Sequence, residues 1–186
     1  MIIQVTNIKK GMVVKIDGVP HSVLEVTHIT PGNWRGMVVC RMRNLTSNLS
    51  KEMRFRSTDR VEEADIEEIE MEYIYFADGH YHFMNLENYE QMPIDHEIIG
   101  DYAKLLTPNI RVKVEYFEGK PFGITLPKTV TLKVIETQAY MKDATAQAQT
   151  KPATLEGGHI CQVPAFVEAG DLIKVNTETG EYLERA

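Results

Sequence analysis

Trp34 and Arg35 stand side by side between Gly32 and Gly36. A planar aromatic beside a planar cation on slim backbone is equipment for holding a ligand, not for breaking a bond. The indole can stack on a base or a ribose and the guanidinium can pair with a phosphate, the two contacts from which single-stranded nucleic-acid sites are built. Arg41, Arg43, Arg54 and Arg56 follow soon after. The bland readings stay open: a hairpin tryptophan also folds back into the core of a small domain, and exposed arginine is ordinary solvated surface.

Nothing else in the chain groups into reactive chemistry. There is no Gly-rich loop opening a helix, no ligand cluster and no nucleophile elbow. His80 and His82 share one face of a strand with no third ligand near in sequence, which points to cross-strand packing. Cys40 and Cys161 lie far apart, each without a second Cys nearby, as buried structural residues do. The carboxylates of the middle segment fall on charged faces with nothing to bring two into a site. A protein that is not an enzyme, with no metal and no cofactor, is expected.

The net charge of −7 argues against nucleic acid only if it is evenly spread. It is not. Residues 1–64 carry 10 Lys and Arg against 6 Asp and Glu, residues 65–127 carry 4 against 13, and residues 128–186 carry 6 against 8. The basic end holds Trp34 and the arginines, and the acidic middle repels phosphate.

The elements that must position these residues are short strands, because eight Pro and twelve Gly spread through 186 residues interrupt anything longer. Val23, Leu24, Val26 and Ile29 lead into His28-Ile29-Thr30-Pro31-Gly32-Asn33-Trp34-Arg35-Gly36-Met37, and Met37 to Arg43 lead out, so the segment is the tip of a β-hairpin. Pro31 and Gly32 turn the chain there. With Met12 to Ile16, an Asp17-Gly18 turn and Glu52 to Arg56, the first segment is a small barrel. On its last strand Arg54 and Arg56 take one face and Met53 and Phe55 the other. The acidic run Val61 to Asp65 marks the first boundary. A second hairpin follows, Met71 to Phe76 and His80 to Met84 around Ala77-Asp78-Gly79. Next comes a helix over Asp95 to Leu106, capped by Asp95 and striped by Ile98, Ile99, Tyr102, Leu105 and Leu106. Strands at Arg111 to Phe117 and Pro121 to Leu126 complete that segment. In the third, Thr129 to Ile135, Ile160 to Val167 and Asp171 to Asn176 are strands, while Lys142 to Gly158, with almost nothing to bury, is expected as surface loop. The reading is mainly β: three small barrels in tandem, 1–64, 65–127 and 128–186, with one helix in the middle one. No apolar run approaches the roughly 18 residues of a membrane span. Lys9 and Lys10 precede only a short apolar stretch, so no signal core is evident and a cytoplasmic protein without a membrane part is expected.

Three features together resemble the elongation factor P family: the Pro31-Gly32 hairpin, Arg56-Ser57-Thr58-Asp59, and the block Lys151-Pro152-Ala153-Thr154-Leu155-Glu156-Gly157-Gly158 followed by Val163-Pro164, Val167 and Gly170. Phe83-Met84-Asn85 and Ile99-Gly100-Asp101 with Ala103-Lys104 are similar to further landmarks of the family, and the likeness runs end to end. It implies a KOW-type, SH3-like barrel followed by two OB-folds, and a monomer that binds the ribosome, ribosomal RNA and peptidyl-tRNA to relieve stalling at consecutive prolines. The tip, Pro31 to Gly36, would point toward the tRNA acceptor end, with Arg41, Arg43, Arg54 and Arg56 against nucleic acid. A free single-stranded RNA-binding module and a protein adaptor are the alternatives.

The chain departs from the family at three places. Asn33 stands where many members carry a Lys or Arg that is modified after Pro-Gly. It offers neither an amine nor a guanidinium, and Arg35 is the candidate substitute. This tip also resembles the elongation-factor-P-like paralogues. Lys142-Asp143-Ala144-Thr145 falls where the family has a Gly-Asp-Thr loop associated with the exit-site codon, which makes Lys142, Asp143 and Thr145 candidate contacts. Cys161 stands at a position where the signature has an aliphatic residue.

Overall fold

The computed structural model describes residues 1–30, 32, 36–139 and 150–186. The chain divides into two compact units, residues 1–67 with 116–122, and residues 68–115 with 123–186. It is mainly β, its strands forming three sheets.

The first sheet takes β1 (Ile2–Gln4), β2 (Val13–Ile16), β3 (Val19–Ile29), β4 (Met37–Asn44), β5 (Ser50–Arg56) and β6 (Arg60–Ala64) in the order β1-β6-β2-β3-β4-β5. β1 with β6, β2 with β6 and with β3, β3 with β4, and β4 with β5 all pair antiparallel. Its core joins Val5, Ile8, Val14, Val23, Val38, Cys40, Met42 and Val61, with Met53 and Phe55 packed against them. The two-residue turn Asp17-Gly18 closes β2 onto β3 with φ of 52° and 79°, the doubly positive geometry that matches strand twist. The acidic run expected as a boundary proves to be largely strand: β6 pairs with β1 on one side and β2 on the other. Val61 turns inward while Glu62 stays outside, and one apolar residue in five is too thin a pattern to announce a strand in sequence.

The second sheet takes β7 (Glu67–Ala77), β8 (His80–Asn85), β9 (Gln91–Asp95), β10 (Arg111–Phe117) and β11 (Lys120–Thr125) in the order β11-β10-β7-β8-β9. The helix is much shorter than expected. α1 covers only His96–Ile99 and gives way to a 3-10 turn over Gly100–Leu105, because Gly100 adopts φ 58° and ψ −136°. Asp95 makes no side-chain cap. It ends β9, and its Oδ1 lies 3.0 Å from His80 Nε2 instead. The apolar stripe is nonetheless core, with Ile99, Leu105 and Leu106 buried.

The third sheet takes β12 (Thr129–Thr137), β13 (Thr150–Leu155), β14 (Ile160–Pro164), β15 (Leu172–Asn176) and β16 (Tyr182–Arg185) in the order β14-β13-β12-β15-β16. Part of the expected loop is therefore strand β13, paired on both sides. Lys151, Ala153 and Leu155 alternate inward, and an inward face made of a lysine and an alanine hides the period of two. The buried Lys151 ammonium donates to the Gln138 carbonyl at 2.5 Å. No helix among the described residues is long and apolar enough to cross a membrane.

Candidate nucleic-acid interface

β3 and β4 form one long hairpin, paired from Ile29–Met37 down to His21–Asn44. A bulge between Val23 and Glu25 re-aims the side chains below it. β4 and β5 pair without interruption from Met37–Arg56 to Arg43–Ser50. Odd residues of β4 and even residues of β5 consequently share a face. The inner face carries Val38, Cys40 and Met42 with Met53 and Phe55, which is where the hydrophobic effect holds the hairpin to the barrel. The outer face carries Met37, Val39, Arg41 and Arg43 beside Arg56, Arg54, Glu52 and Ser50. The four arginines expected to act together are thus on one surface, as the period of two required.

Their surroundings are not equal, and this the sequence count missed. Arg41 pairs with Glu52 across one ladder and with Glu25 across the other. Glu52 lies 3.2 Å from Arg54, with which it forms an ion pair, and stands opposite Arg41 in the ladder. Arg43 is half-buried. Arg56 sits at the tip end, beside Met37 and in line with Ile29, which are 36% and 43% exposed. Its backbone N–H donates to Asp59 Oδ2 at 2.8 Å, and the Ser57 N–H donates to the Gly36 carbonyl at 3.0 Å. The Arg56-Ser57-Thr58-Asp59 turn therefore ties the tip-proximal end of β4 to β5. The face is graded: neutralised by Glu25 and Glu52 at its base, cationic and apolar near the tip.

Gly32 has φ 26°, a value side chains rarely take. A Cβ on Gly36 would meet Ser57 at 3.7 Å and the Ile29 carbonyl oxygen at 3.9 Å, both ordinary contacts, so slenderness is not required at that position. Pro31, Asn33, Trp34 and Arg35 of the tip, and Lys142, Asp143 and Thr145, lie outside the described residues.

The histidines expected to pack across strands do so. His82 stacks on Tyr75 with ring centroids 4.5 Å apart and planes 15° apart. His80 Nδ1 donates to the Asp78 carbonyl at 2.9 Å, with Asp95 at its other nitrogen. Among the described residues no three His, Cys, Asp or Glu gather as metal ligands.

Three family models match in series: the elongation factor P KOW-like domain over residues 4–61, the elongation factor P OB domain over 66–124, and the elongation factor P C-terminal model over 130–185. The chain belongs to the elongation factor P family. It is 43% identical to an elongation factor P of Gemmatimonas aurantiaca over 186 residues, covering 100% of this chain and 99% of that protein. It is 45% identical to one of Acidobacterium capsulatum over the full length of both. A solved structure, a eukaryotic translation initiation factor 5A from Methanococcus jannaschii, aligns over 68% of this chain and 92% of that one at 19% identity and TM-score 0.44, too distant a likeness to carry argument. Where the family signature has an aliphatic residue, Cys161 is buried opposite Ala153, and burial pushes its thiol pKa up, so it serves as a small apolar side chain.

Proposed function

We propose that this protein is a cytoplasmic, non-enzymatic translation elongation factor that binds the ribosome beside peptidyl-tRNA and promotes peptide-bond formation at stalling motifs such as consecutive prolines. The observation that carries the reading is the graded outer face of β4 and β5, cationic toward the hairpin tip, in a chain that matches its family along its whole length. A face of this kind grips phosphate near the tip and leaves its neutralised base free of such contacts. Residues 31–36 would then reach the tRNA acceptor end. Proline's locked ring makes it a poor partner in peptide transfer, so holding the acceptor end in a reactive geometry lowers the barrier by orientation, with no protein acid or base required.

The test is peptide-bond formation on a polyproline message with purified components. The wild-type protein should relieve the stall, and Arg54→Glu with Arg56→Glu should bind ribosomes weakly and fail while keeping its melting temperature. A pair of substitutions that leaves both ribosome pelleting and rescue intact would make the face plain solvated surface. Equal affinity for naked single-stranded RNA and for ribosomes would favour a free RNA-binding module.

A further inference from the structure

From Val61 to Ala103 the chain contains no Lys or Arg and 13 Asp and Glu. Within this run lie three adjacent strands, β7, β8 and β9, whose outer face is laid out by the ladder in rows. Tyr75, His82 and Pro93 form one row across the three strands, and Ala77, His80 and Asp95 form the next. Glu72, Met84 and Gln91 lie on the other side of the first row, beyond a bulge between Tyr73 and Tyr75. In the middle row the Tyr75 and His82 rings stack face to face on one another, and Tyr75 is still 43% exposed. Phe76, the next residue of β7, is 53% exposed at the rim, where it packs against Tyr81 at 4.6 Å. Asp95 and His80 side chains, 67% and 45% exposed, border the platform.

An exposed stack of rings bordered by carboxylates, in a segment without one cation of its own, lacks a partner of opposite charge. Phosphate is excluded by the same carboxylates, which removes nucleic acid and anionic membrane as occupants. A flexible ammonium satisfies the charge and wastes the platform. A guanidinium satisfies both, since it is planar, stacks on an aromatic face and binds a carboxylate through two parallel N–H groups. We propose that the Tyr75–His82 platform, with Glu72 and Asp95 in the rows on either side, is a docking surface for an arginine-rich protein segment. The surface lies in the second compact unit and does not depend on the ribosomal reading of the first.

The experiment is an NMR titration of the isotope-labelled full chain with three probes: a short peptide alternating arginine and serine, the same peptide with lysine, and a single-stranded RNA of similar length. The arginine peptide should shift the amides of Tyr75, Phe76, His82 and Asp95. Tyr75→Ser should weaken it about two- to fivefold, the range expected for one exposed cation–aromatic contact, whereas Tyr75→Phe should bind as wild type. Asp95→Asn should weaken it as well, and the lysine peptide should bind less tightly than the arginine one. The proposal is overturned if lysine and arginine peptides bind alike, since that reports only net charge. It is equally overturned if RNA shifts the same residues, or if a folded Tyr75→Ser variant, confirmed by its melting curve, binds unchanged.

Discussion

Gly157 lies so close beneath the main chain of Lys104 that a Cβ added to it would stand 2.5 Å from the Lys104 carbonyl oxygen. Lys104 belongs to the 3-10 turn that follows α1, and Gly157 to the short turn that follows β13, so a glycine without a side chain is what lets these two turns meet. Gly157 also holds φ 85°. Its neighbour Gly158 holds φ 86° but has open space around it. The two glycines share one conformational demand and differ in one contact. Gly158→Ala should therefore cost about 1 kcal/mol through backbone strain alone. Gly157→Ala adds a clash with backbone that cannot rotate away, and should cost several kcal/mol in all, of the order seen for overpacked sites. Chemical denaturation of the two variants beside wild type measures the difference directly. Equal losses would show that the turns separate at no cost.

The grading of the arginine face makes a ranked expectation. Arg54 is ion-paired with Glu52, and Arg41 has Glu52 opposite it on one ladder and Glu25 on the other. Arg56 has neither carboxylate opposite it. Arg56→Ala should weaken ribosome binding more than Arg54→Ala or Arg41→Ala, and it should lower the salt dependence by about one phosphate contact. Glu52→Gln should tighten binding by releasing Arg54 and removing the negative charge opposite Arg41. Pelleting over a salt series distinguishes these outcomes, and an unranked response would mean that only total charge matters.

Glu115 gives a pH dependence of known sign. It lies on β10, accepts a hydrogen bond from Thr125 Oγ1 at 2.6 Å, and packs where a Cβ on Gly123 would stand 2.7 Å from its Oε2. Burial pushes its carboxyl pKa up, with a smaller upward contribution from Glu68, against the downward pull of the Thr125 hydroxyl. A carboxyl whose pKa is higher folded than unfolded holds its proton better in the folded state. Its contribution to stability is complete at pH below the unfolded carboxylate range and is lost as pH rises through the folded value. Glu115→Gln, which keeps the shape and the acceptor for Thr125, should raise the melting temperature at neutral pH. The gain should vanish at acid pH, where wild-type Glu115 is itself neutral. A gain that persists in acid would assign the effect to packing.

Sequence periodicity revealed those parts of the fold in which one face is plainly apolar. Val38, Cys40 and Met42 alternate cleanly, so β4 and its neighbours were legible, and Arg54 with Arg56 fell on the expected side of β5. β6 and β13 were not legible, because Val61 alone marks one, and the buried Lys151 and Ala153 disguise the other. The helix misled for a different reason. Its stripe is real core, but Gly100 takes a conformation that ends α1 after one turn, and the 3-10 turn beyond it keeps Leu105 inward. Within the candidate site the arginines were found and their partners were not. Glu25 and Glu52 become neighbours of Arg41 only through ladder register, which composition does not contain.

The last prediction concerns the tip. Asn33 stands at the position that many members of the family modify, and its amide can take neither a lysine extension nor an arginine-type glycosylation. On the proposed function the positioning would then fall to Trp34 and Arg35, one stacking on a base or ribose and the other pairing with a phosphate where water screens poorly. On the proposed function, contacts elsewhere along the tRNA would hold the factor in place, so tip residues should govern rate more than occupancy. Trp34→Ala and Arg35→Ala should bind ribosomes nearly as wild type yet lose rescue of polyproline stalls, while Asn33→Ala should be mild. The measurement is the rate of peptide-bond formation at saturating factor, using recombinant protein whose intact mass shows that Arg35 carries nothing. Activity confined to native protein with an added mass on Arg35 would make that arginine the modified residue and overturn the unmodified mechanism. Rescue by all three alanine variants at the wild-type rate would assign the tip to structure and return Trp34 to the core.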